Sequence, residues 1–485
     1  MIVGIVGGGP RALWAVELVS FLVRRHPTPP TIHLRVWDPH GLGAGRVYRT
    51  DQPVQWRLNA PARIVSTGLG ELPEWMAAHS EERVQKWARE NFPPRAIVGE
   101  FLAASWAHAV NTLPETVTVE HIPARVGSVD EALGQVDHLL IATGHASEWE
   151  GAWEGALKPY ALDPDGGLAV DSVPAGARVA VRGAALTFID VALALTERRG
   201  GVFTPDRTAA SGLRYHPSGK EPALISAFSR SGRFMEVKPE PGSVLHNLPI
   251  ASEELLAEQI RQAGDLRGIT GAVEEASVLL LDLVNSPDLA AEVAQVLEGK
   301  DTSTLQESLD LVRGRRAPGA AWAVGEAFRR LYPAIVQRVS YAEVPGFWKL
   351  SRTLERVAFG PPKVTSARIL ALMEAGLVNP IIGNEPDPHA DVHVDAVIPP
   401  PGVQPGTLTA ELVQRGILGR RADGSLDIAP GGAVPGGEGT QHPNLSVIGR
   451  DAEPTVLGLD TLNRTMHPEL PEWAERIVDQ ASKRN

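Results

Sequence analysis

The chain has 485 residues, 43% of them hydrophobic and 21% charged, with a formal net charge of −12 at pH 7. That is the composition of a globular protein with room for two or three domains, and its acidic balance removes the electrostatic ground for nucleic-acid or anionic-membrane partners. It contains no cysteine, which excludes disulfides, thiolate metal sites and dithiol redox chemistry. The N-terminus opens on an apolar segment with no basic stretch ahead of it, and no run approaches 18 apolar residues. Neither a signal peptide nor a membrane span is expected, and the cytoplasm is the default compartment.

The first element, IVGIV at residues 2–6, is short, β-branched and apolar, and predicts a buried parallel strand. It runs into Gly7, Gly8, Gly9, Pro10, Arg11 and Ala12. Read as G-x-G-x-x-A, Gly7 permits a tight turn, Gly9 lets backbone approach a pyrophosphate, and Ala12 lets the next helix pack close to the strand. Pro10 suits a first helical turn. The helix, expected to about Arg25, aims its N-terminal amides at the same phosphates. The following strand, TIHLRVW, ends in Asp38, an acid placed to bond a ribose hydroxyl. Further on, VDHLLIATGH predicts a strand closing on Thr143 and Gly144, where small residues let backbone run near a ligand.

The same logic then repeats. RVAVR is a strand, Gly183, Ala184, Ala185 and Leu186 form a turn, and a helix follows with apolar Phe188, Val191, Leu193 and Leu195. The next strand ends in SRSGR, so Arg230 and Arg233 stand where the first copy has Asp38. Basic residues there favour a 2′-phosphate, hence NADPH over NADH. Ala185, however, puts a methyl where the motif expects glycine.

From about 251 to 339 the apolar residues recur at three and four, predicting helices. Arg352 and Arg356, four apart on one helix face, could meet an anionic substrate or cofactor phosphate but read first as a solvated, ion-paired face, and Phe347 and Trp348 read as core or lid packing before a substrate platform. VDAVIPPPGV is a degenerate counterpart of the first copy's ATG strand, and NLSVIGRDAEPTVLGLDTLNR adds a late strand, a loop and a helix start. His145 and His467 lack metal-ligand spacing, and the zincin, nucleophile-elbow and P-loop motifs are all missing.

Taken in order, GGGPRA, NAPA, FPPRAIVGEFL, ATGH, GAALTFID, FGPP and IGRDAEPTVLGLDTLNR resemble a two-dinucleotide-binding flavoprotein. More narrowly, the chain resembles the bacterial FAD/NAD(P)-binding proteins related to the class B, N-hydroxylating flavin monooxygenases. The resemblance implies an α/β fold with two Rossmann-like domains, a discontinuous FAD domain carrying an inserted NADPH domain, plus a helical insertion. The expected boundaries are 1–170 and 430–485 for FAD, 171–250 and 365–429 for NAD(P)H, and 251–364 for a helical insertion or lid. It implies bound FAD reduced by NADPH. Gly7, Gly9, Pro10 and Arg11 would hold the FAD pyrophosphate and Asp38 the adenosine ribose. Asn59 would approach the flavin, which His145 or His467 could also face, and Thr143 and Gly144 would pass the adenine side. Gly449, Asp451, Gly458 and the helix start at Asp460 and Leu462 would frame the ribityl chain and pyrimidine. Gly183, Leu186, Thr187, Arg230 and Arg233 would serve NADPH. Pro454 stands where a more flexible loop is expected.

The resulting expectation is an FAD- and NADPH-dependent monooxygenase joining molecular oxygen to a small organic substrate, an amine by analogy with the N-hydroxylators. Two alternatives share the motifs: an NAD(P)H-dependent flavoprotein reductase or dehydrogenase, without the disulfide-reductase branch because cysteine is absent, and a non-catalytic nucleotide-binding protein, to which Ala185 lends support.

Overall fold

A computed structural model describes residues 1–159, 168–169, 171–246, 248–380, 383–436 and 441–484, excluding the side chains of 441–443. The strands that position the sites are Ile2–Val6 (β1), Ile32–Trp37 (β2), Val117–Ile122 (β3), His138–Ile141 (β4), Arg178–Arg182 (β5), Leu224–Phe228 (β6), Val392–Asp395 (β7), Ala433–Pro435 (β8) and Gln441–Val447 (β9). The two helices that follow the glycine turns are Pro10–Arg25 (α1) and Leu186–Leu195 (α2). The chain divides into two compact units, one of Met1–Val54, Ala60–Ala152 and Pro399–Asn485, the other of Gln55–Asn59 and Trp153–Ile398.

In the first unit the sheet runs β8-β9-β4-β1-β2-β3, parallel except for β8. This is the doubly wound order, in which the chain reverses direction of growth beside β1 and leaves a crevice at the carboxyl ends of the strands. Helix α1 forms because Pro10 pre-sets its first turn and Leu13, Val16, Val19 and Val23 fall on one face, all fully buried. Arg24 and Arg25 close its last turn, favourable for the helix dipole, before HPTPP ends it.

In the second unit the sheet order is β6-β5-β7, all parallel. Isolated parallel bridges Ile225–Val378 and Leu157–Val394 extend it on both sides. Strands β5, β6 and β7 thus stand to one another as β1, β2 and β4 do in the first unit, so the degenerate VDAVIPPPGV is the structural counterpart of the ATG strand. Helices occupy Glu253–Gln262, Leu266–Leu283, Ala290–Leu297, Leu305–Val312 and Ala320–Val339, as the periodicity predicts. No helix among the described residues is long and apolar enough to cross a membrane.

The units divide at other residues than those expected from sequence. Residues 399–429, expected with the second sheet, lie in the first unit. There Thr409 Oγ1 donates to Asp451 Oδ2 at 2.5 Å, Thr455 Oγ1 to the Leu426 carbonyl at 2.7 Å, and the Val129 amide to Glu411 Oε2 at 3.0 Å. Residues 55–59, expected with the first sheet, lie in the second unit because Trp56 is a core residue there, fully buried and donating Nε1–H to the Asp190 carbonyl at 2.8 Å. The Arg352/Arg356 face also differs from expectation. Arg352 is exposed, whereas Arg356 is buried and its guanidinium reaches Asp301 and Glu236.

Candidate dinucleotide-binding site

The turn after β1 has Gly7 at φ +107°, a conformation that L side chains rarely adopt, and a Cβ there would stand 2.6 Å from the Ala142 carbonyl oxygen. A Cβ on Gly8 would meet Leu42 and Asp38 at 2.6 and 2.8 Å. Gly9 is different. It caps α1 with ordinary φ −79°, and the nearest atom to a Cβ would be Gly45 Cα at 3.9 Å, an ordinary contact. The protein's own packing therefore explains glycine at 7 and 8 but not at 9. What Gly9 keeps clear is a cavity of about 610 Å³ at the carboxyl edge of the sheet.

Gly7, Gly9, Pro10, Arg11, Asp38, Thr143, Gly144, Gly449, Asp460 and Leu462 all line that one cavity. Asp38 is anchored by accepting the Gly8 amide at 2.6 Å and the His40 amide at 2.7 Å, which fixes a carboxylate beside the glycine turn. Arg11 donates to the Leu459 and Thr461 carbonyls, and burial lowers its pKa to about 10, so it remains a cation at neutral pH. Gly449 is pressed against β4, where a Cβ would lie 2.5 Å from the Thr143 carbonyl oxygen, and the Arg450 amide donates to that same oxygen at 3.1 Å. This pairing brings the late strand's loop onto the ATG loop. The sheet order adds a detail: Thr143 and Gly144, expected beside the adenine, follow β4, the neighbour of β1 opposite β2. They lie across the glycine turn from Asp38.

Two expected residues lie outside this lining, and a third belongs to the second unit. Gly458, at φ +77°, sits outside the lining, and its carbonyl is 3.0 Å from Nε2 of buried His467, so that histidine holds a loop. Asp451 is buried against Thr409 rather than lining the cavity. Asn59 belongs to the second unit, where its Nδ2 donates to the Phe359 carbonyl at 2.9 Å and its Oδ1 accepts from Lys238 Nζ at 2.8 Å. Sequence reasoning missed the Ala44–Tyr48 stretch, Arg125, Pro405–Leu408 and Arg450, all in the cavity wall. The signal available was the run of three glycines in GLGAGR. Gly45, at φ +58°, lies so close over Gly9 that its own Cβ would be 2.9 Å from Gly9 Cα.

Burial raises the Asp451 carboxyl to about 6, against the lowering effects of the Thr409 hydroxyl and Arg450. The folded chain then keeps a proton that the unfolded chain, at an ordinary 3.8, has released. Stability contributed by this group is therefore lost as pH rises between those two values. Asp451→Asn keeps an acceptor for Thr409 without the charge. The expected result is a higher melting temperature at pH 7.5 than the wild type and a shallower decline from pH 4 to 6, measured by thermal denaturation across that range.

The second turn reproduces the first in backbone. Gly183 has φ +107°, matching Gly7, and Ala185 caps α2 at φ −95°, ψ −155°, close to Gly9 at −79°, −164°. Gly183 packs on Ala396 as Gly7 packs on Ala142. Leu186 and Thr187 open α2, and the Ala185 methyl is exposed. The pocket beside Ala184 and Ala185, walled by Phe234, Met235 and Leu305, holds about 10 Å³, room for about one water. Of the two arginines, Arg230 is exposed at the end of β6. Arg233 is engaged: it donates to the Asp301 carboxylate at 2.9 Å and to the Gly299 carbonyl at 2.6 Å.

Residues 4–150 match the family model described as FAD-NAD(P)-binding. Over 300 residues the chain is 29% identical to a nitrosuccinic acid synthase of Aspergillus oryzae, covering 54% of this chain and 45% of that protein. It is 28% identical over 286 residues to an L-aspartate N-monooxygenase (nitrosuccinate-forming) of Streptomyces cremeus, covering 47% and 41%. The chain thus spans less than half the length of the curated relatives it matches. Among solved structures it is similar to the ornithine N-hydroxylase of Kutzneria sp. 744, with 15% identity, TM-score 0.45 and coverage of 100% of this chain and 99% of that one. It is also similar to a cadaverine monooxygenase of Erwinia amylovora, with 10% identity, TM-score 0.44 and coverage of 100% and 94%.

Proposed function

We propose that the chain is an FAD-dependent, NADPH-consuming monooxygenase that oxidises the amine of a small amino acid, with L-aspartate as the first substrate to test. The observation that carries the reading is the glycine turn whose Gly9 is kept bare for a ligand rather than for packing, facing a cavity of about 610 Å³. The family match over residues 4–150 and the two relatives named for nitrosuccinate formation support it. Bound FAD would supply the chemistry side chains lack, taking two electrons from NADPH and passing one atom of O₂ to nitrogen while the other leaves as water. The chain's own residues bind and orient. The amides at the start of α1 and the Arg11 cation face the pyrophosphate, and Asp38 presents a carboxylate to the adenosine ribose. At the second turn Gly183, Leu186 and Thr187 offer the same backbone to NADPH, and exposed Arg230 is the cation for a 2′-phosphate.

The Ala185 methyl and the engagement of Arg233 favour one competing reading, in which FAD binds but the second turn does not take NADPH. NADPH oxidation in air and FAD reduction by NADPH without oxygen together separate these readings and a simple reductase. Purified protein is loaded with FAD, and NADPH oxidation is followed in air with and without L-aspartate, with peroxide and N-oxidised product quantified. Substrate-dependent NADPH oxidation coupled to N-oxidised product supports the monooxygenase. NADPH oxidation yielding only peroxide points to a reductase, and FAD that stays oxidised under anaerobic NADPH points to the second reading.

A further inference from the structure

The order of the strands is also an order along the ligand. Neighbouring strands lie about 4.8 Å apart, and across the carboxyl edge the chain presents Asp38 after β2, the glycine turn after β1, the Ala142–His145 loop after β4 and Arg450 after β9. With the adenosine ribose at Asp38 and the pyrophosphate at the turn, an extended dinucleotide continues past β4. His145 stands at that point in the cavity wall. Its backbone carbonyl accepts from Arg46 Nη2 at 2.8 Å, which holds the loop.

The ring itself is not satisfied by the protein. Among the described residues Nδ1 is buried with no hydrogen-bond partner, and the residue lines the cavity, so Nε2 is the ring nitrogen left to meet a ligand. Nδ1 is unpaired in either tautomer, and an orphaned buried N–H is rarer than an under-satisfied buried acceptor, so the proton is assigned to Nε2. Burial and the Arg450 cation lower the imidazole to about 4, so the ring is neutral at physiological pH. His145 therefore offers one uncharged N–H to whatever fills that part of the cavity.

We infer that His145 donates its Nε2–H to an acceptor in the flavin half of the bound dinucleotide, beyond the pyrophosphate from Asp38. The inference rests on the FAD assignment proposed above. The test is a binding titration of the FAD-free protein with FAD and, separately, with ADP, which carries the adenosine and pyrophosphate but no flavin. His145→Phe is expected to weaken FAD about tenfold, the loss of one hydrogen bond, and to leave ADP within about twofold. His145→Gln, which keeps a donor at similar reach, is expected to restore FAD to within about threefold; should the phenylalanine variant fail to fold, His145→Ala replaces it, with ADP binding as the check on the fold. If wild type binds FAD and the phenylalanine variant binds it equally well, the inference is overturned while the FAD assignment stands. Equal losses for FAD and ADP also overturn it, because the contact would then lie on the adenosine side. A wild type that binds ADP but no FAD removes the FAD assignment and this inference together.

Discussion

Gly9→Val is expected to lower FAD affinity by at least about 100-fold, roughly 2.7 kcal/mol, with little change in the melting temperature of the FAD-free protein. The reason is the separation of roles within three consecutive glycines. At Gly9 an added Cβ comes no closer than 3.9 Å to Gly45 Cα and the backbone is in a region any residue adopts. Ala185 shows the same position occupied by a methyl in the same conformation. Gly9 lines the cavity, and any bulk added there would stand where backbone amides are expected to approach the pyrophosphate. Gly7→Ala is the contrasting control. It forces a side chain into φ +107° against a carbonyl oxygen 2.6 Å away, which costs about 1–3 kcal/mol in backbone strain alone. The first variant should fold and lose the ligand; the second should lose stability whether or not ligand is present. Titration of FAD fluorescence together with thermal denaturation of the FAD-free proteins measures both. A Gly9→Val protein that binds FAD like wild type would remove the turn from the cofactor site.

Trp56→Ala is expected to be the most damaging single substitution in the second unit, destabilising it by about 3–5 kcal/mol. Trp56 is fully buried among Phe188, Val181, Ile225 and Val394, the residues that join the second sheet to α2. Truncation leaves a cavity of indole size and removes the indole donor from the Asp190 carbonyl, in the helix that follows the second turn. Hydrogen exchange resolved by segment provides the readout. Protection should fall in β5, β6 and α2 of the variant and be retained in β1, β2 and α1. Uniform loss across both units would show that the five-residue excursion at 55–59 is not a core element of the second unit alone.

Much of this was legible in the residues. The two glycine turns, the strands before them and the helices after them are local features, written in β-branched runs, φ-permissive glycines and a helix-starting proline, and each forms where the pattern put it. Asp38, Thr143 and Gly449 could be assigned to one edge of a sheet because each closes an apolar strand. These 485 residues contain no cysteine, so they supply no dithiol for disulfide exchange.

What sequence order could not carry is long-range. Trp56 looks like a loop residue beside NAPA, and only burial of its indole in the second core reassigns residues 55–59. Arg233 has the position and charge of a phosphate ligand, yet Asp301, 68 residues away in sequence, claims its guanidinium. Asp451 carries a motif's acid but is turned onto Thr409 by residues 399–429, whose place in the first unit no local pattern announces. His145 could be placed near the flavin from its position after the ATG turn, but its unpartnered Nδ1 and its place in the cavity wall come from the structure. Local backbone preference decided where the turns are, because it depends on a few adjacent residues. Which side chains remain available to a ligand depends on partners that only folding brings within hydrogen-bonding distance.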